Sequence, residues 1–124
     1  MLYVAKGIVL LIGILHCYFL WLEMFAWTTK ARKIFKSIPQ EQFLPTKTMA
    51  ANQGLYNGFL AAGLFWSLFI TDPNWSANIS LFFLACVLLA GIFGGISASK
   101  KIFYVQGLPA LVGLLLWVAL KYIA

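Results

Sequence analysis

Four long apolar runs dominate this sequence and limit what it can fold into. The runs cover about Tyr3–Thr28, Thr48–Ile70, Ala77–Ala98 and Ile102–Tyr122. A helix needs roughly 20 mostly apolar residues to cross the hydrocarbon core of a bilayer. The sequence therefore predicts an all-α fold, a polytopic bundle of four transmembrane helices. We expect one membrane domain over residues 1–124, with cytoplasmic loops at 29–47 and 99–101.

The composition excludes most soluble functions. Hydrophobic residues make up 63% of the chain and charged residues 10%, and the mean hydropathy is +0.92. These values are typical of a membrane protein. The four runs leave no room for a separate catalytic or nucleotide-binding domain, and no phosphate-binding loop, dinucleotide fingerprint, zinc-protease motif or serine elbow is present. Any site is therefore expected within the bundle.

The distribution of basic residues predicts the orientation. Five lie between the first two runs and two between the last two, whereas the other side has only Lys6 and Lys121. The positive-inside rule places both basic loops in the cytoplasm and both termini outside, so we expect a multi-pass protein of the cell (inner) membrane. The first run is too long for the apolar core of a signal peptide, so we expect it to be a transmembrane helix.

Polar residues inside the first two runs are the main functional clue, because such groups in a bilayer usually mark a site. His16, Glu23 and Trp27 share one face of the first helix at about 100° per residue. A second group of polar residues opens the second and fourth helices. It consists of Asn52, Gln53, Tyr56, Asn57 and Gln106. We expect these residues to form a polar pocket that opens toward the cytoplasm, with the residues of the second helix on one inward-facing side.

Two titratable side chains, Glu23 and His16, are the candidate catalytic residues of this pocket. A general acid and a general base on either side of a lipophilic ligand could shift a double bond or open a strained ring. A proton-coupled carrier would use the same groups as a relay. The remaining polar residues and Trp27 would bind the ligand. A third alternative is an accessory subunit in which the polar groups only hold the helices together.

Small residues predict where the helices approach closely. Ala50, Gly54, Gly58 and Ala62 recur every four residues on the second helix, and Gly91, Gly95, Gly107 and Gly113 lie on the last two. Helix association in lipid depends on close packing through such residues. We expect a tightly packed bundle.

Three motifs resemble a known family. They are HCYFLWLEMFAW at 16–27, ANQGLYNGFLA at 51–61 and QGLPA at 106–110. Together they resemble the domain-of-unknown-function 1304 family of small bacterial membrane proteins. The resemblance implies four membrane helices and no particular activity. In general arrangement the chain is also similar to sterol isomerases of the emopamil-binding type, although no motif of that family can be placed on it.

The expected partners follow from the same features. The bilayer is the main one, with a small lipophilic ligand and a second copy of the chain, a homodimer, as further expectations. Nucleic acid is not expected despite the net charge of +6, because the basic residues sit at helix ends. No metal or cofactor is expected, since one histidine, one glutamate within the bundle and two separated cysteines do not make a closed zinc site. Haem held between two subunits by His16 stays open.

Overall fold

The structure, a computed structural model, describes all residues, 1–124, and contains helices and turns but no strand. Four long helical segments follow one another along the chain. They are α1 (Leu2–Phe25), α3 (Lys47–Phe69), α4 (Pro73–Ser97) and a last segment built from α5 (Lys100–Ile102), a π-helical turn (Phe103–Gly107) and α6 (Leu108–Tyr122). A short helix, α2 (Lys30–Ile34), and a 3-10 turn (Gln40–Gln42) lie between α1 and α3. The predicted all-α class is confirmed.

Three of these segments are long and apolar enough to cross a membrane. They are Leu2–Phe25, Pro73–Ser97 and Lys100–Tyr122. The segment α3 is also long, 23 residues, but its first three turns contain Lys47, two asparagines and a glutamine. The predicted fourth crossing and the placement of the termini stay predictions.

Local signals explain where the helices begin. Helix α4 begins at Pro73, four residues before the predicted start, because Asp72 caps it: its side chain accepts a 2.8 Å hydrogen bond from the backbone N–H of Trp75. Proline suits the first helical position, where its missing N–H costs nothing. In the last segment Ser99 caps the start, accepting from the backbone N–H of Lys101 at 3.3 Å.

The chain divides into two compact units, which we describe separately. The terminal unit comprises Met1–Gly13 and Ala62–Ala124, and the middle unit is Ile14–Ala61.

Helix α4 packs closely against the π turn in the terminal unit. A Cβ on Gly91 would lie 2.5 Å from the backbone nitrogen of Gly107 and 2.6 Å from its Cα. The two backbones are therefore in direct contact, as small residues permit in membrane helices. The turn itself is wider than an α-helix, because the N–H of Leu108 bonds the carbonyl of Phe103 five residues back. Pro109 follows at once, and its ring and missing N–H disfavour a regular helix over the preceding turn.

The middle unit contains more structure than the predicted loop at 29–47. Phe43 is fully buried there, with its ring centroid 5.0 Å from that of Trp27. The guanidinium of Arg32 lies over the Phe43 ring at 5.7 Å from its centroid. The segment between α1 and α3 is thus folded around an aromatic centre.

Candidate functional site

The centre of the candidate site is a contact between the carboxyl group of α1 and an amide of α3 in the middle unit. Asn57 Nδ2 donates a 2.9 Å hydrogen bond to Glu23 Oε1. Both side chains are half-buried. The bond joins two residues that are 34 positions apart in the sequence. Both were predicted as site residues because they are polar groups in apolar surroundings.

Glycine brings the two helices close enough for this bond. A Cβ on Gly54 would lie 2.7 Å from Met24 Cγ, 3.0 Å from Glu23 Cβ and 3.1 Å from the backbone oxygen of Leu20. One turn later a Cβ on Gly58 would meet Leu20 Cδ1 at 2.6 Å. The small residues of α3 therefore allow close packing at Gly54 and Gly58, as predicted. These two glycines precede and follow Asn57 in the sequence.

One oxygen of the Glu23 carboxyl group accepts a hydrogen bond within the protein and the other does not. Oε1 accepts from Asn57, whereas Oε2 has no hydrogen bond within the protein, and no lysine or arginine forms an ion pair with the group. A carboxylate accepts through both oxygens, and its protonated form donates one hydrogen bond. The group can therefore accept from, donate to or exchange a proton with a molecule beside it.

His16, the second predicted catalytic residue, is fully buried. Its ring lies edge-on to Phe19 with 5.5 Å between the centroids. A bound molecule could touch the imidazole only by displacing neighbouring side chains. The proposed joint action of His16 and Glu23 on one molecule stays a prediction.

The prediction that the polar residues of α3 all face inward is wrong for Asn52, Gln53 and Tyr56, whose side chains are exposed. The cause is the position of Gly54, which is buried against α1. At 100° per residue, Asn57 lies about 60° from Gly54 around the helix, whereas Asn52 and Tyr56 lie about 160° away. Only Asn57 is thus on the packed side. The predicted ligand-binding roles of the exposed three stay predictions.

Trp27, which was predicted to contact the ligand, forms a hydrogen bond and ring contacts with other residues of the chain. Its Nε1–H donates to Thr46 Oγ1 at 3.0 Å, and its ring also lies 5.7 Å from that of Phe35. Thr46 in turn donates to the carbonyl of Gln42 at 2.7 Å. Neither Phe43 nor Thr46 is among the residues that the sequence predicts for the site. The signal in the sequence was a pair of phenylalanines, Phe35 and Phe43, in the basic loop predicted between the first two helices.

Gln106 is half-buried in the π turn. It belongs to the terminal unit, so its predicted place beside Glu23 stays a prediction. No group of three or more histidine, cysteine, aspartate or glutamate side chains is arranged to hold a metal ion.

The sequence comparisons agree with the resemblance of the three motifs. The model of a family described as "Protein of unknown function (DUF1304)" matches residues 10–118. The chain belongs to the DUF1304 family. The match includes every residue of the candidate site, from His16 to Gln106.

One curated relative is similar to this DUF1304 protein over most of its length. The chain is 28% identical over 108 residues to "Uncharacterized protein YpaA" of Lactococcus lactis subsp. lactis (strain IL1403), covering 86% of this chain and 89% of the relative. No solved structure matches the chain. The comparisons therefore give the family and leave the activity to be argued from the site.

Proposed function

We propose that this DUF1304 protein is a multi-pass protein of the bacterial inner membrane. In this proposal it binds a small lipophilic molecule beside the Glu23 carboxyl, at a site that opens toward the cytoplasm. The observation that carries the proposal is the 2.9 Å bond from Asn57 to Glu23 Oε1. It fixes the orientation of a carboxyl group on a helix that is apolar enough to cross a membrane. An ionisable group at such a place is costly and usually functional.

The membrane placement is supported by the three apolar helices and by the distribution of lysines and arginines. In the proposed topology α3 crosses as well, which makes four crossings and puts both termini outside. Glu23 then lies close to the cytoplasmic end of α1, because the helix ends at Phe25 and the basic residues of α2 follow. A ligand would reach it from the cytoplasmic leaflet.

The free oxygen Oε2 determines which ligands fit. A lipophilic molecule with a hydroxyl or amine group could donate a hydrogen bond to it. Since His16 is buried, the proton-transfer chemistry that suits this geometry uses one group. The Glu23 carboxylate would remove a proton from an allylic carbon, the electron pair would move to form the new double bond, and the carboxylic acid would return the proton to the far end.

A second candidate, a small proton-coupled carrier, is favoured by a different observation. Glu23 has no basic partner in the chain, so its charge can change without breaking an ion pair. In this proposal Glu23 is the titrating group, and two copies of the chain provide enough helices for alternating access.

The third candidate, an accessory subunit, is favoured by the packing at Gly54 and Gly58. If the bond between Asn57 and Glu23 serves only to hold α1 against α3, no ligand is needed.

The deciding experiment compares wild type with Glu23→Gln and with Glu41→Gln. Glu41 is an exposed residue of the 3-10 turn, so its substitution removes the same charge outside the site. Each purified protein is analysed by native mass spectrometry and by extraction of its bound small molecules. A molecule that is retained by wild type and Glu41→Gln but lost from Glu23→Gln would support the site. Identical extracts from all three proteins would contradict ligand binding at Glu23.

A pH-dependent flux assay in proteoliposomes separates the candidates. A proton flux that is driven by a pH gradient in wild type and is lost in Glu23→Gln would favour the carrier. The absence of both a ligand and a flux, with a lower resistance to unfolding in Glu23→Gln, would favour the accessory subunit.

A further inference from the structure

The terminal unit contains a second polar site, which is separate from Glu23. It is a cavity of about 490 Å³, lined by the start of α1, the connection between α3 and α4, the first turn of α4 and the end of α6. We call it the lysine cavity, because Lys6 and Lys121 both line it. Its size falls in the range of small-ligand sites.

Trp117 gives the first sign that the lysine cavity binds a ligand. This side chain lines the cavity and is 3% exposed, yet its Nε1–H has no hydrogen-bond partner. Indole nitrogen is a donor only, and a buried donor without a partner costs free energy. The Ser76 hydroxyl, which also lines the cavity, donates to the carbonyl of Ser67 at 2.8 Å and is not a partner of the indole N–H. An acceptor atom of a bound molecule that reached the indole nitrogen would satisfy it.

The charge of the lysine cavity gives the second sign. Neither Lys6 nor Lys121 forms an ion pair. Lys121 Nζ instead donates to Asn78 Oδ1, a neutral group that positions the ammonium without cancelling its charge. The carboxylate closest in sequence to α4, Asp72, is exposed and caps the helix. Two positive charges and an unpaired N–H donor thus lie around one cavity, a combination that favours an anion.

The apolar part of the lining indicates what kind of molecule carries the anion. Leu2, Ile70 and Leu120 line the cavity together with the polar residues. Three lining helices are the ones apolar enough to cross a membrane, and the cavity lies at their ends, where lipid head groups are found. Lysine at such a position binds lipid phosphate as a point charge.

We propose that the lysine cavity binds the phosphate of an anionic phospholipid, with Lys6 and Lys121 as its cationic contacts and Trp117 Nε1–H as its hydrogen-bond donor. The apolar residues of the cavity contact the glycerol and the upper acyl chain. This site is independent of the proposed function of Glu23.

Native mass spectrometry of the full-length protein in detergent tests this site. The protein is titrated with phosphatidylglycerol and, separately, with phosphatidylcholine, whose head group is neutral overall. We expect phosphatidylglycerol to bind more tightly, and the double variant Lys6→Gln, Lys121→Gln to weaken it by about tenfold or more. The matched control is Lys30→Gln, Lys33→Gln, which removes two exposed charges of α2 and should leave the affinity within about twofold.

Trp117→Phe separates a specific site from general attraction of lysines to acidic lipid. It retains an aromatic ring and the two positive charges and removes only the N–H donor. We expect a severalfold loss of phosphatidylglycerol binding, with the helical circular dichroism unchanged. Unchanged binding in this variant, equal binding of both lipids, or an equal loss in the α2 control would each overturn the proposal.

Competition with sn-glycerol phosphate distinguishes a lipid from a soluble phosphate. If the free compound displaces phosphatidylglycerol only at far higher concentration than the lipid itself, the apolar lining contributes and the lipid is the ligand. Equal potency would show a site for soluble phosphates and would overturn the assignment to lipid.

Discussion

Asn57 donates a 2.9 Å hydrogen bond to Glu23 on the neighbouring helix, between two turns where glycine brings the backbones together. The bond and the packing therefore depend on each other. If the helices moved apart, the amide would lose its acceptor, and if the amide were removed, a half-buried carboxyl would lose its one protein partner.

Asn57→Ala should weaken the middle unit and not abolish its fold. Hydrogen bonds between membrane helices contribute about 0.6 kcal/mol on average and up to about 1.7 kcal/mol, so we expect a loss in this range. The measurement is reversible unfolding in mixed micelles, as a double-mutant cycle with Glu23→Ala. A coupling energy near zero would contradict the bond.

Gly54→Ala should be more destabilising than the addition of a single methyl group suggests. The new Cβ would lie 3.1 Å from the backbone oxygen of Leu20 and close to two side chains, and overpacking of this kind costs about 1–3 kcal/mol. Gly7→Ala is the matched control, because a Cβ there meets nothing within 4 Å. The same unfolding assay should show little change or a slight gain for Gly7→Ala. Equal effects at both positions would mean that α1 and α3 are not in close contact at Gly54.

Thr46→Val should loosen the segment between α1 and α3. Valine has nearly the same shape but cannot accept from Trp27 Nε1 or donate to the carbonyl of Gln42. A net loss of about 1 kcal/mol is typical of one such hydrogen bond. Hydrogen exchange of residues 35–47 should become faster. The control, Thr48→Val, changes an exposed threonine of α3 and should leave the exchange of this segment unchanged.

Cysteine labelling should show whether α3 crosses the membrane. In a background in which Cys17 and Cys86 are replaced by alanine, Ser37→Cys and Asn74→Cys each introduce one exposed thiol. We expect a membrane-impermeant maleimide to label Asn74→Cys in spheroplasts and Ser37→Cys only after lysis. Labelling of both from the same side would contradict the crossing of α3.

Much of this fold was predictable because apolar runs and helix ends are local properties. The four long segments follow from the runs, and the early start of α4 could have been read from Asp72 and Pro73, which form a helix-start signal. Glu23 and Asn57 were each predicted as site residues because they are polar in apolar surroundings, whereas the hydrogen bond that joins them is known only from the structure.

The facing of α3 was not predictable from its polar residues. Four polar residues, Asn52, Gln53, Tyr56 and Asn57, lie within one arc of the helix surface. Their spacing does not show which of them face α1. The position of Gly54 determines which side of α3 packs against α1, and that side lies nearer Asn57 than Asn52 or Tyr56. The contact between Trp27 and Thr46 was also missed, because it joins residues 19 positions apart through a loop that has no periodic pattern.

The π turn at Phe103–Gly107 has a consequence for how the last segment is compared with its relatives. A wider turn takes up about one extra residue, which corresponds to a rotation of about 100° at 3.6 residues per turn. Lys100 and Leu116 therefore belong to two helical wheels that are out of phase. Sequences of relatives that lack a proline at the position of Pro109 should restore the phase by a one-residue deletion before it. An alignment gap at this point would then reflect a change in helix geometry and not a change in the length of a loop.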